Sequence, residues 1–248
     1  GKGGTLLITG EAGIGKSRLT DELKEYAKSQ DIVCLESRGV FHSRLTNYGI
    51  FMDLLKNYFE IKSSDDEIEI RDKIEKKQFI ENVGSNIISN INSLLSPNLR
   101  DEGLNSDLIE SEKKLMIFNA LKILLAAGSQ HKPIVLVLDD IHWVDELSIE
   151  LLLFLINSLS QYRILFVCIY RPPREDEDDT RHLQKLENEL SHSRATASIE
   201  YIKIALTTLS SSDSQKLLES ILAFEDLPPE LKKIILDKAS GNPLYLEE

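Results

Sequence analysis

Gly10-Glu11-Ala12-Gly13-Ile14-Gly15-Lys16-Ser17 is the stretch whose reading decides the fold. It fits the pattern G-x-x-x-x-G-K-S/T at every fixed position. An apolar run, residues 5–9, precedes it, and a segment with helical periodicity, residues 16–29, follows. Each residue type has a physical task there. The glycines accept positive φ and let successive backbone N–H groups curl around a phosphate. A helix beginning near Lys16 aims its unsatisfied N–H groups and the positive end of its dipole at the same anion. Lys16 would reach the β- and γ-phosphates, and the Ser17 hydroxyl would hold Mg²⁺.

Four further apolar runs, rich in Ile, Val, Leu and Tyr, read as strands: 32–36, 134–139, 164–170 and 200–204. They are nearly continuously apolar, as strands covered on both faces must be. Helical segments at 115–127, 146–160 and 180–193 alternate with them. Such alternation predicts an α/β fold with a parallel sheet and helices on both faces. Residues 48–108 interrupt the rhythm with helical periodicity at 51–59, a polar charged patch, and a second helix at 79–95 ended by Ser96-Pro97. They read as a helical insertion after the second strand. Beyond residue 209, two amphipathic helices at 212–223 and 229–239 and then Gly241-Asn242-Pro243 read as the start of a helical lid. The expected division is a core over 1–209 and a lid, cut short, over 210–248. Both ends of the chain fall against or inside elements, so a piece of a longer polypeptide is expected.

The second half of a triphosphate site should be an acidic residue closing an apolar strand. Pro133-Ile-Val-Leu-Val-Leu138 followed by Asp139-Asp140 supplies it. Asp139 would face the loop and bind Mg²⁺, and Asp140 would orient or deprotonate an attacking water. Without the loop upstream, the pair would read as an acidic strand end. Arg171, after the fourth strand, is placed to sense the γ-phosphate, although an arginine after a strand is common. The acidic run 174–181 reads as a solvated loop.

Composition narrows the class. There are 41 Asp+Glu against 29 Lys+Arg, a net charge of −12, which argues against a general nucleic-acid binder. Two cysteines, Cys34 and Cys168, each in an apolar run, read as small buried hydrophobes of a reducing, cytoplasmic compartment. No apolar run approaches the ~18 residues that span a bilayer, so no membrane partner is expected.

GEAGIGKSRL at 10–19, LVLDDIHWVD at 136–145, IYRP at 169–172 and GNPLYLEE at 241–248 together resemble the STAND class of P-loop ATPases. Within it they are most similar to the AAA-type modules, related to origin-recognition ATPases, of large multidomain signalling proteins. The resemblance implies a P-loop NTPase with a five-stranded parallel sheet, an ATP·Mg²⁺ site and a helical lid. It also implies a slow, switch-like ATPase that partners other domains of its own polypeptide and forms nucleotide-dependent homo-oligomers. Carried over residue by residue, Gly10, Glu11, Ala12, Gly13, Ile14, Gly15, Lys16, Ser17 and Arg18 bind ATP or ADP. Lys16, Asp140 and Arg171 serve hydrolysis, Ser17 and Asp139 hold Mg²⁺, and Pro243 is the lid proline near the nucleotide. His142 and Trp143 match the pattern without a catalytic role, Trp143 anchoring the strand-to-helix turn. The family's Gly-Arg-Glu segment before the first strand has no counterpart in these residues, which leaves the adenine contacts open. A nucleotide-binding scaffold with negligible turnover is the alternative, and Asp140 is the residue that separates the two.

Overall fold

A computed structural model describes residues 2–40, 46–77, 80, 83–95, 109–172, 181–195, 200–222 and 228–247. Along the chain come β1 (Gly4–Thr9), α1 (Lys16–Ser29), β2 (Val33–Arg38), α2 (Gly49–Phe59), α3 (Glu67–Glu75), α4 (Ser85–Leu95) and α5 (Glu110–His131). Then follow β3 (Ile134–Asp139), a 3-10 turn Ile141–Trp143, α6 (Glu146–Ser158), β4 (Ile164–Tyr170), α7 (Arg181–Ala195) and β5 (Tyr201–Ala205). Helices α8 (Ser211–Leu222), α9 (Pro229–Ala239) and α10 (Pro243–Glu247) complete it.

The five strands form one sheet in the order β2-β3-β4-β1-β5, with every neighbouring pair parallel. The expected parallel α/β sheet is therefore present. Chain direction then dictates the layers. From β1 to β2 the chain moves across the sheet one way, and every later connection moves back the other way. Right-handed crossovers accordingly put α1 on one face and the helices joining β2 through β5 on the opposite face. Alternation along the strands divides the core to match. Leu7, Leu136, Phe166 and Tyr170 pack with α2, α5 and α6 in the larger cluster. Ile8, Val137, Val167 and Ile169 pack with Leu23 and Ala27 of α1 in the smaller one.

Because β1 and β4 are neighbours whose onward connections leave toward opposite faces, a crevice opens at their C-terminal ends. This is where the 10–17 loop emerges.

Inside the insertion, the polar patch between the two predicted helices is itself helical. The Asp66 carboxylate accepts the Glu69 N–H at 2.8 Å, and the Glu69 carboxylate accepts the Asp66 N–H at 3.0 Å. This reciprocal box starts α3, which buries Ile70 and Ile74 one turn apart. Residues 96–108, which include the Ser96-Pro97 stop, and the acidic run up to residue 180 lie outside the described residues.

Candidate functional site

Gly13 at φ +77° and Gly15 at φ +100° take the left-handed backbone that the loop requires and that β-carbon-bearing residues resist. Gly15 is the residue that leads into α1. The Lys16 side chain folds back along the loop, and its Nζ donates to the carbonyls of Gly10 and Glu11, each at 2.8 Å. Thr20 Oγ1 donates to the Lys16 carbonyl at 2.8 Å and tightens the first turn. Burial, then the Arg171 charge, hold the Lys16 ammonium below its ordinary pKa, while Asp140, Asp139 and Glu11 pull the other way. A lysine in that setting gains from an added anion.

Asp139 closes β3 and pairs in register with Arg38, the last residue of β2. Its Oδ1 accepts the N–H of Asp140 at 2.8 Å. Burial and the neighbouring Asp140 charge push the Asp139 carboxyl above its ordinary range, partly offset by that hydrogen bond and by Arg38. Asp140 sits at φ +50°, a strained position for a non-glycine residue, and is buried. Both Nε and Nη2 of Arg38 donate to Asp140 Oδ2, at 2.8 and 2.6 Å. The pairing raises the Arg38 pKa through the hydrogen bond first and the charge second.

Since β4 lies between β1 and β3, Arg171 just beyond β4 falls between the loop and the acidic pair. A single cleft of about 1010 Å³ gathers these groups. Lys16, Ser17, Arg38, Asp139, Asp140 and Arg171 line one part of it. Leu206, Leu209, Leu217, Ile221, Pro243 and Leu244, from the exit of β5 and from α8 and α10, line the other, with Asp213, Ser220 and Glu247 beside them. A charged head beside an apolar slot suits a polyphosphate joined to a flat heterocycle.

Most of the predicted residues are thus brought together. Ala12, Gly13, Ile14, Gly15 and Arg18 also line the cleft, Arg18 while ion-paired at 2.6 Å to Glu22 on α1. Gly10 and Glu11 do not line it. Their carbonyls hold Lys16, and Glu11 faces a smaller recess with Asn242 and Tyr245. Gly10 is small because a Cβ there would meet Ile14 Cγ2 at 2.7 Å.

The 139–145 motif also has structural work. His142 is buried with Nδ1 3.8 Å from Asp140 Oδ1, its ring 4.9 Å from that of Trp143. Asp145 caps α6: its carboxylate accepts the Ser148 N–H at 2.9 Å, the Ser148 hydroxyl at 2.5 Å and the Tyr48 N–H at 3.4 Å.

Sequence reasoning missed Arg38 and Asn242. The first would have emerged by continuing the alternation Cys34, Glu36, Arg38 along the strand beside the acidic one. Asn242 stands inside the Gly241-Asn242-Pro243 motif, but its partner, the Ala12 carbonyl, lies 230 residues away, so the motif marks the residue without its contact.

The AAA ATPase domain model matches residues 1–167 of this chain. The chain therefore belongs to the AAA ATPase domain family. No curated protein matches it. Among solved structures, a Signal Transduction ATPase with Numerous Domains (STAND) protein with a tetratricopeptide repeat sensor, from Pyrococcus horikoshii, is similar at 14% identity and a TM-score of 0.46. That similarity covers 98% of this chain and 26% of the other, so the chain spans about a quarter of the protein it matches.

The donors present fit a nucleotide with Mg²⁺. A hydroxyl at Ser17 and a carboxylate at Asp139, completed by phosphate oxygens and water, are the hard oxygen ligands Mg²⁺ takes. The raised Asp139 carboxyl is a charge that burial leaves under-compensated, and a divalent cation would relieve it. Among the described residues there is no cluster of three or more His, Cys, Asp or Glu able to hold an ion.

Proposed function

We propose that this chain is the ATP·Mg²⁺-binding, slowly hydrolysing switch module of a larger cytoplasmic signalling or regulatory protein of the STAND class. The observation that carries the reading is the single cleft in which Lys16, Ser17, Asp139, Asp140 and Arg171 converge beside an apolar slot. In this reading Lys16 leaves the Gly10 and Glu11 carbonyls for the phosphates, and Ser17 and Asp139 hold Mg²⁺. The bound cation neutralises charge on the phosphate oxygens. Arg171 adds a second positive charge at the outer phosphate. Asp140 orients the water that attacks it. The surrounding polypeptide and further copies of the chain are the partners, and the nucleotide state sets their arrangement.

The pairing of Asp140 with Arg38 supports slow turnover and favours a second reading, a nucleotide-dependent scaffold that scarcely hydrolyses. Both bonds fall on Oδ2, so Arg38 occupies one of the two Asp140 oxygens and restricts how the carboxylate can turn toward a water. Phosphate release from ATP·Mg²⁺ by the parent and by Asp140→Asn separates the readings. The switch reading expects measurable release that falls by roughly 10²–10⁴-fold, the usual contribution of a general base. Release that is negligible in both proteins, with ATP still bound, would establish the scaffold.

A further inference from the structure

Two donors from the start of α10 rest on the glycine-rich loop. Asn242 Nδ2 donates to the Ala12 carbonyl at 3.0 Å, and the Leu244 N–H donates to the Gly13 carbonyl at 3.3 Å. The approach is close: a Cβ on Gly13 would lie 2.7 Å from both Asn242 Oδ1 and Leu244 Cβ. Asn242 is itself fixed. Its Oδ1 accepts the Leu244 N–H at 3.1 Å, and its own N–H donates to the Ala239 carbonyl at 2.8 Å. Just before it, the Gly241 carbonyl accepts the Leu209 N–H at 2.8 Å and ties the segment to the exit of β5.

These contacts dictate which way the loop's amides face. A trans peptide is planar, and its C=O and N–H point in opposite directions. The described peptides contain no cis bond. Holding the Ala12 and Gly13 carbonyls toward α10 therefore turns the Gly13 and Ile14 N–H groups away from it. Those N–H groups belong to the set with which such a loop wraps a phosphate. Rotating either peptide would break the bond to α10 and present a carbonyl oxygen where a donor is needed.

We propose that Asn242 is a positioning residue that, together with the Leu244 N–H, locks the 12–14 peptides with their donors set for phosphate before any nucleotide arrives. The same contact links loop occupancy to the position of the lid. By thermodynamic reciprocity, a ligand that needs the amides in this orientation favours the lid in this place. The identity of the anion rests on the nucleotide reading above; the orientation of the peptides does not.

The test uses the whole chain with Asn242→Asp and Asn242→Ser. Both keep an oxygen acceptor for the Leu244 N–H. The carboxylate of Asp removes the donor to Ala12, while the Ser hydroxyl, one bond shorter than the carboxamide, draws it back from the Ala12 carbonyl and adds no charge near the phosphates. Hydrogen exchange of the 10–17 amides is read without nucleotide, and ADP·Mg²⁺ affinity by calorimetry. Faster exchange at 10–17 by about five- to tenfold is expected in both variants, with β3 and β4 unchanged and affinity lowered by a similar factor, the effect of one ordinary hydrogen bond. Exchange at 10–17 equal to the parent's would overturn the proposal, even if affinity fell. A parent that binds no ADP would sink the nucleotide reading instead, and the exchange comparison would still decide the lock.

Discussion

Asp139 is a carboxyl whose charged form folding disfavours. Its folded pKa is raised by burial and by Asp140 above the ordinary value of 3.8. A carboxyl raised on folding leaves stability intact below the unfolded pKa and erodes it as pH rises toward the folded one. Above that window the full penalty is present. Asp139→Asn keeps an oxygen for the Asp140 N–H and removes the charge. The melting temperature of the unliganded variant is expected to exceed the parent's at neutral pH, and the gain to shrink as the pH falls toward 3.8. Mg²⁺ should no longer strengthen ADP binding in that variant. Equal or lower melting temperature at neutral pH would contradict this assignment of the penalty. At this scale the sequence made Lys16, Ser17, Asp139, Asp140 and Arg171 legible, since motif spacing fixes them relative to strand ends. Arg38 stayed hidden because Ser37-Arg38 continue β2 with polar side chains, where an apolar run gives no cue to extend it.

Elements with a continuous apolar run or a regular apolar stripe announce themselves, and those that bury only one or two side chains do not. The apolar runs of β3 and β4 run to the observed ends, Ile134–Asp139 and Ile164–Tyr170. Helix α3 looks like a charged patch in the sequence because it buries only Ile70 and Ile74, while Ile68 is 79% exposed. Helix α5 begins at Glu110, earlier than its apolar periodicity, through a charged first turn whose Glu112 carboxylate accepts the Ile109 N–H at 3.3 Å. Caps such as these act locally and leave little trace in hydrophobic pattern. Asp145 is the one that bridges elements, starting α6 while reaching the Tyr48 N–H that precedes α2. Asp145→Ala strands two backbone donors in a buried place. It is expected to cost about 2 kcal/mol, the upper end for a lost cap, as a lower urea midpoint with an unchanged slope. A loss under about 0.5 kcal/mol would mean that water replaces the carboxylate.

Across the whole molecule, the placement of charge matters more than its sum. A chain of net charge −12 is proposed to hold a polyanion. Lys16, Arg38 and Arg171 line the same cleft, and the sheet order brings them there from the ends of three different strands or loops. Carboxylates line the cleft as well, Asp139 and Asp140 among them, so a polyphosphate would be held by the placement of Lys16 and the loop amides and by Mg²⁺ rather than by a net positive charge. The parallel sheet follows from the alternation of strands and helices and was legible; the crevice beside β1 was not, because it depends on the order of the strands. The docking of α10 on the loop was legible only as Pro243 near the nucleotide, because its contacts, one carboxamide and one backbone N–H, join residues far apart in sequence. The most direct measurement is calorimetric titration of ATP·Mg²⁺ into the parent and into Lys16→Ala. Saturable one-to-one binding by the parent is expected, weakened roughly 10- to 100-fold in the variant, as loss of charge-assisted hydrogen bonds worth ~1.5–3 kcal/mol implies. Equal affinity in the two proteins, or no binding by the parent, would contradict the assignment of this cleft to ATP.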